Sequence, residues 1–140
     1  MGLWSKIKEI FIVKSIETFK ELEEDLNKLF KKCDMRLIAL VGTASKIKGL
    51  PLIYAAEKDK EDVRLFSARI IKILSSVQEL SKSKKLDNVT INYEDQIIYT
   101  EPILENICLL AIYRQENDIY SIKQWINNNI TILRSLLNKH

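Results

Sequence analysis

Residues 88–113 read NVTINYEDQIIYTEPILENICLLAIY, and this stretch decides the fold. Val89, Ile91 and Tyr93 alternate with Thr90 and Asn92, the period-two pattern of a strand with one wet face. Glu94-Asp95 supplies a tight turn, and Gln96–Ile103 resumes as a strand carrying Ile97, Ile98 and Tyr99. Glu105-Asn106 turns again into Ile107-Cys108-Leu109-Leu110-Ala111-Ile112-Tyr113. A continuous apolar run belongs to a strand covered on both faces. The stretch therefore predicts an antiparallel meander with residues 88–93 at a sheet edge and 107–113 at its centre.

Working upstream, Arg36–Ala44 holds a second continuous run, Leu37 to Val41, and predicts a second central strand. The loop Gly42–Lys48 leads into Gly49–Ala55, where Pro51 lacks an N–H and so marks the other edge. Between these strands and the meander, Asp59 caps a helix predicted over Lys60 to Ser83. Its stripe is Val63, Phe66, Ile70, Ile73, Leu74, Val77 and Leu80, with Leu65, Ala68 and Ile71 left outside it. A closing helix over Asp118 to Asn138 presents a broad apolar face that includes Ile122, Trp125, Ile126 and Leu133.

At the other end, residues 3–11 place Leu3, Trp4, Ile7, Ile10 and Phe11 on one helical face, flanked by Lys6 and Lys8. A second stripe runs from Ile16 through Phe19, Leu22, Leu26 and Leu29 to Cys33. The stripes are offset by roughly 110° on an ideal helix. That offset predicts two helices with a break near Val13–Ser15, hence an amphipathic extension over 1–14 and one domain over 15–140. The order is α-α-β-β-α-β-β-β-α. It predicts an α+β domain, a five-stranded antiparallel sheet with helices on both faces, plus the extra N-terminal helix.

Composition narrows the chemistry. The chain has 140 residues, 46% hydrophobic and 29% charged, too apolar for a disordered chain. Its 22 basic and 19 acidic residues are scattered rather than gathered in a stripe, so no nucleic acid is expected as a partner. The one histidine is His140. With no histidine base available, Ser67, Ser75, Ser76 and Ser81 cannot form a triad. Cys33 and Cys108 make no metal-ligand spacing and read as small core hydrophobes. Glu21, Glu23, Glu24 and Asp25 read as a solvated helix face. The segment Gly42–Gly49 has the look of a phosphate loop, but a phosphate loop must open a helix and this one opens a strand. No catalytic, cofactor-binding or metal-binding residues are assigned, no cofactor is expected, and the chain is not read as an enzyme.

The leading helix, the apolar strand, the hairpin opening Gly49-Leu50-Pro51-Leu52, the long middle helix, the meander and the closing helix together resemble the Roadblock / dynein light chain family. The resemblance covers about residues 16–138. It implies a non-enzymatic scaffold that dimerises, with itself or another Roadblock-like chain, by pairing third strands and packing middle helices side by side. It also implies that the dimer engages a small Ras-like GTPase, as a platform or an activating partner, or else a motor subunit. On that basis Leu65, Ala68, Ile71, Val89 and Ile91 are expected at a dimer interface. Arg64 and Arg69 are expected to touch a partner, and Arg114 is a further candidate. The expected location is cytoplasmic. The competing expectation is a membrane-peripheral adaptor that uses Leu3, Trp4, Ile7 and Phe11 to contact a membrane or a partner.

Overall fold

The computed structural model describes residues 3–137, with side chains described from 18 to 136. Five strands form one antiparallel sheet in the order β2-β1-β5-β4-β3. They are β1 (Met35–Gly42), β2 (Pro51–Ala56), β3 (Val89–Asn92), β4 (Ile97–Leu104) and β5 (Ile107–Tyr113). The two continuous apolar runs lie at the centre and the two strands marked as edges lie at the edges, as their textures require.

Three helices cover the sheet: α1 (Leu3–Lys32), α2 (Lys60–Glu79) and α3 (Asp118–Leu137). Alternation along each strand sorts the core into two layers. On one face, Ile38, Leu40, Ile53, Leu109 and Ala111 pack under Leu22, Leu26 and Leu29 of α1 and Ile122, Trp125 and Leu133 of α3. On the other, Leu37, Ala39, Val41, Leu110 and Ile112 pack under Val63, Ile70, Ile71 and Leu74 of α2. Cys33 belongs to the first layer and Cys108 to the second, and both are buried free thiols.

The ends of these elements have local causes. The Asp59 carboxylate accepts the amide of Asp62 at 3.0 Å, capping α2. Lys31 and Lys32 sit in the last turn of α1, where the helix dipole favours cations. Arg114, just past β5, donates to Asp34 at 2.6 Å and to Glu57 at 3.2 Å. It thereby ties the α1–β1 and β2–α2 connections together at one end of the sheet.

Two sequence expectations change here. The helix Leu3–Lys32 is continuous, so there is no break at Val13–Ser15. Nothing between the two stripes (no Gly, no Pro) interrupts the helical ladder, so a change of stripe direction does not end the helix. The first strand ends at Gly42 rather than Ala44. A Cβ on Gly42 would lie 2.2 Å from the Ile47 carbonyl oxygen, so the strand can end in this tight loop only with glycine.

Candidate functional site

The buried face of α2 is rotated from the apolar stripe of its sequence. The buried residues are Val63, Ser67, Ile70, Ile71 and Leu74. The stripe expected to face the sheet is centred about 60° further round the helix. The sheet therefore covers half of a wide apolar arc and leaves the other half on one flank.

Which flank follows from a single close approach. A Cβ on Gly49 would lie 3.5 Å from the Ala68 Cα, and Gly49 leads into edge strand β2. The side of α2 carrying Ala68 thus faces the β2 edge, and it is polar there, with Arg64 and Ser75 at helical spacing. The opposite side carries Phe66, Ile73, Val77 and Leu80 and faces the β3 edge. Ile73 is 40% exposed and Leu80 85%. Val89 and Ile91, on the helix side of β3, are half-buried against the α2 layer, as are Phe66 and Leu86. An apolar helix flank and an unpaired strand edge therefore lie side by side.

A second feature opens at the N-terminal end of α2. A cleft of roughly 320 Å³ is floored by Leu37, Val63, Phe66 and Ile112, with Arg36, Lys58 and Arg69 around it. Gly42–Gly49, the phosphate-loop lookalike, folds as a short 3-10 turn over Ser45–Ile47. The amides of Gly42, Lys48, Gly49 and Leu50 all donate within that segment or to its neighbours, so they are spent on the loop itself. Among the described residues there is no cluster of three metal-ligating side chains. No described helix is long and apolar enough to cross a membrane.

No protein-family profile matches the sequence, and no curated protein matches it. Solved structures do. MglB of Myxococcus xanthus superposes with a TM-score of 0.72 at 15% identity, over 85% of this chain and 92% of that one. The gliding protein MglB of Thermus thermophilus gives 0.68 at 12% identity, over 87% and 92%. A Roadblock/LC7 domain from Streptomyces avermitilis gives 0.61 at 12% identity, over 77% and 97%. The chain has the Roadblock/LC7 fold.

On this Roadblock/LC7 framework the residues expected at an interface separate into three groups. Val89 and Ile91 lie together on the edge strand. Leu65 is 57% exposed on the outer crest of α2, and Ala68 is exposed on the flank towards β2. Ile71 is only 3% exposed, buried against its own sheet, so it cannot meet a partner; the rotation of α2 draws it inward. Phe66, Ile73 and Val77 take its place on the apolar flank. Their i, i+7, i+11 spacing is visible in the sequence, where it reads as part of the stripe facing the sheet.

Arg64 is exposed and 3.6 Å from Glu61, one turn away. Arg69 is exposed and makes no ion pair among the described residues. Arg114 is committed to Asp34 and Glu57. The side chains of Leu3, Trp4, Ile7 and Phe11 lie outside the described residues.

Proposed function

We propose that this chain is a non-enzymatic dimeric scaffold that binds and regulates a small Ras-like GTPase. The observation that carries the reading is the apolar flank of α2 beside the free β3 edge. An unpaired strand offers a row of backbone donors and acceptors to a second chain. Burying Ile73, Val77 and Leu80 at the same time supplies the apolar area that strand pairing alone lacks. The fold shared with MglB and with Roadblock/LC7 domains supports it, as does a solved MglB that has a tetrameric arrangement.

A chain of this kind acts on a GTPase by holding its catalytic conformation or by offering an arginine to the transferring phosphoryl group. Arg69 suits the second role better than Arg64, because no carboxylate competes for it among the described residues. Two measurements test the reading. Light scattering should give a dimer mass at micromolar concentration, for this chain alone or with a second Roadblock-like chain. Pull-down of small GTPases loaded with GTP or GDP should show capture that depends on the nucleotide. A monomer with every candidate partner chain, or capture of neither nucleotide form, would sink the proposal. Nucleotide turnover by the isolated chain that a Gly42–Gly49 substitution abolished would replace it with an enzymatic one.

A further inference from the structure

We infer that the cleft between β3 and the start of α3 binds a primary alkylammonium group, the head of a lysine side chain or of a polyamine, whose N–H donates to the Tyr113 hydroxyl. The site begins with incomplete cover. On this face of the sheet α1 packs on β1 and β2, and α3 reaches β4. Strand β3 turns Thr90 and Asn92 to the same face, and both are exposed. A cleft of roughly 350 Å³ is left there. Tyr99 and Tyr113 line it from the sheet, and Glu116, Tyr120 and Lys123 line it from the β5–α3 connection and the first turns of α3. Ile97 pairs with Tyr113 and Tyr99 with Ala111, so the two sheet tyrosines are diagonal neighbours on one face.

Tyr113 decides that the cleft is a site. The residue is only 3% exposed, and its hydroxyl makes no hydrogen bond among the described residues. It is not sealed from solvent as the Trp125 Nε1 is, so it opens into the cleft it lines. A phenol held this deep is nearly always hydrogen-bonded, and a free hydroxyl that a water-sized group can reach points to a ligand. An ammonium head is such a group. The polarity around Tyr113 selects it. Tyr99 gives its one proton to Glu101, so its oxygen has only lone pairs left to offer. Glu116 adds a carboxylate. Burial comes first in raising both phenols above their ordinary value; Asp118 and Glu116 add to it at Tyr113, and Glu101 and Asp87 at Tyr99. Acceptors in a negative field call for a ligand that donates and is positively charged. The three tyrosines favour the same sign, because an aromatic face attracts a cation. Lys123 is the one cation lining the cleft. It is exposed and forms no ion pair among the described residues, so its flexible stem can carry its charge out to water.

The cleft lies on the sheet face opposite α2, so neither dimerisation nor a GTPase enters the inference. The test is an NMR titration of the isotope-labelled full chain with Nα-acetyl-lysine methylamide. Saturable shifts of the Glu116 and Tyr120 amides and of the Tyr113 ring are expected in the millimolar range, as a ligand of this size allows. The neutral Nε-acetylated analogue should give no saturable shift. The Nε-trimethylated analogue keeps the charge but has no N–H on that nitrogen, and should bind about fivefold more weakly. Tyr113→Phe should cost the parent ligand a similar factor while keeping or raising the melting temperature, since the deleted hydroxyl has no partner in the fold. Glu116→Gln should also weaken binding. Lys123→Ala should tighten it about threefold by removing a competing charge, the reverse of what a site for an anion would show. Spermidine and the peptide acetyl-Gly-Gly-Lys-Gly-Gly-amide separate the sources: tighter binding of the peptide assigns the site to a lysine of a partner protein, and tighter binding of spermidine assigns it to a free polyamine. Equal shifts with the Nε-acetylated or Nε-trimethylated analogue, unchanged affinity in Tyr113→Phe, weaker binding in Lys123→Ala, or no saturable shift up to about 20 mM would overturn the inference.

Discussion

The two edges of the sheet are built to opposite ends. At β2 the edge is closed. Pro51 begins the strand without a donor, α1 and α2 both pack against it, and Gly49 brings the approach to β2 up against the backbone of Ala68. At β3 the edge is open. Its four residues carry no proline and no lysine, Thr90 and Asn92 are exposed, and the neighbouring flank of α2 is apolar. Edges that are not meant to pair are blunted with proline, charge or a covering element. By that criterion β2 is finished within the chain, and the proposed partner belongs at β3. Each edge can be attacked separately.

The largest effect is expected at the closed edge. Gly42→Ala would set a methyl 2.2 Å from the Ile47 carbonyl oxygen, a backbone atom that cannot swing aside. The whole 43–48 loop would have to move, and with it the hydrogen bonds from Gly42 to Leu50 and from Gly49 to Gly42. A loss of about 3 kcal/mol or more is expected in urea unfolding. Gly49→Ala, strained by its φ of 80° but with an ordinary contact to Ala68, should lose less, about 1–2 kcal/mol. If the two variants are equally stable, the closed edge does not depend on this loop.

At the open edge the expected loss is of association rather than of folding. Ile73→Lys puts a charge on an already exposed position, so the monomer should melt as before. A two-fold interface would bury that lysine twice, weakening the dimer about 100-fold or more. Ala68→Lys, on the flank facing β2, should leave the dimer intact. Analytical ultracentrifugation of the pair decides the matter, and a dimer broken by Ala68→Lys but not by Ile73→Lys would put the interface on the wrong flank.

The centre between the edges has its own signature. Cys108, near the start of the central strand β5, is pushed up to about 11 by burial, against an ordinary value near 9. The unfolded thiol ionises as pH passes about 9 while the folded one stays neutral. Stability is thus complete below that point and falls as pH rises towards 11. By pH 10 the loss should be about 1.4 kcal/mol, and Cys108→Ala should remove that part of the pH dependence. Tyr99, also raised by burial and by its bond to Glu101, acts in the same direction. A urea midpoint flat from pH 8 to pH 10 in the parent protein would show that the thiol is more exposed than its position in β5 indicates.

The contrast between edges was legible in the sequence because it is written in texture: Pro51 at one end, the alternation of Val89 to Tyr93 at the other, and unbroken apolar runs between them. What stayed hidden depends on rotation and register, which no local pattern encodes. The apolar arc of α2 spans both the sheet and the free flank, and only packing decides that Ser67 and Ile71 are buried while Ile73 stays partly exposed. The Tyr113 cleft is a relation between a strand face and the start of a helix, so a lone tyrosine at the end of an apolar run carries no sign of it. The continuity of α1 is hidden for a related reason. A change of stripe direction looks like a break, but with no Gly or Pro near Val13–Ser15 it does not end the helix.

That change of direction motivates the smallest expected effect. A helix of 30 residues is about 45 Å long. The eight-residue strand β1 behind it is about 26 Å long. We therefore propose that residues 1–14 form a separable extension of the 15–140 domain, even though one helix joins them. Ser15 would serve as an N-cap for the shortened helix. Deleting 1–14 should leave a cooperative fold, with the β2 edge still covered by the rest of α1, and stability within about 1 kcal/mol of the full chain. Were Leu3, Trp4, Ile7 and Phe11 buried in the domain, each would contribute roughly 1.5–3 kcal/mol. A loss of several kcal/mol on deletion would thus refute separability and make the extension part of the closed edge. If stability holds, co-sedimentation with anionic and with neutral vesicles tests the membrane alternative. Lys6, Lys8 and Lys14 favour the anionic surface, and Trp4→Ala should then release the chain. Absence of binding to either vesicle would exclude the membrane and leave a protein as the extension's target.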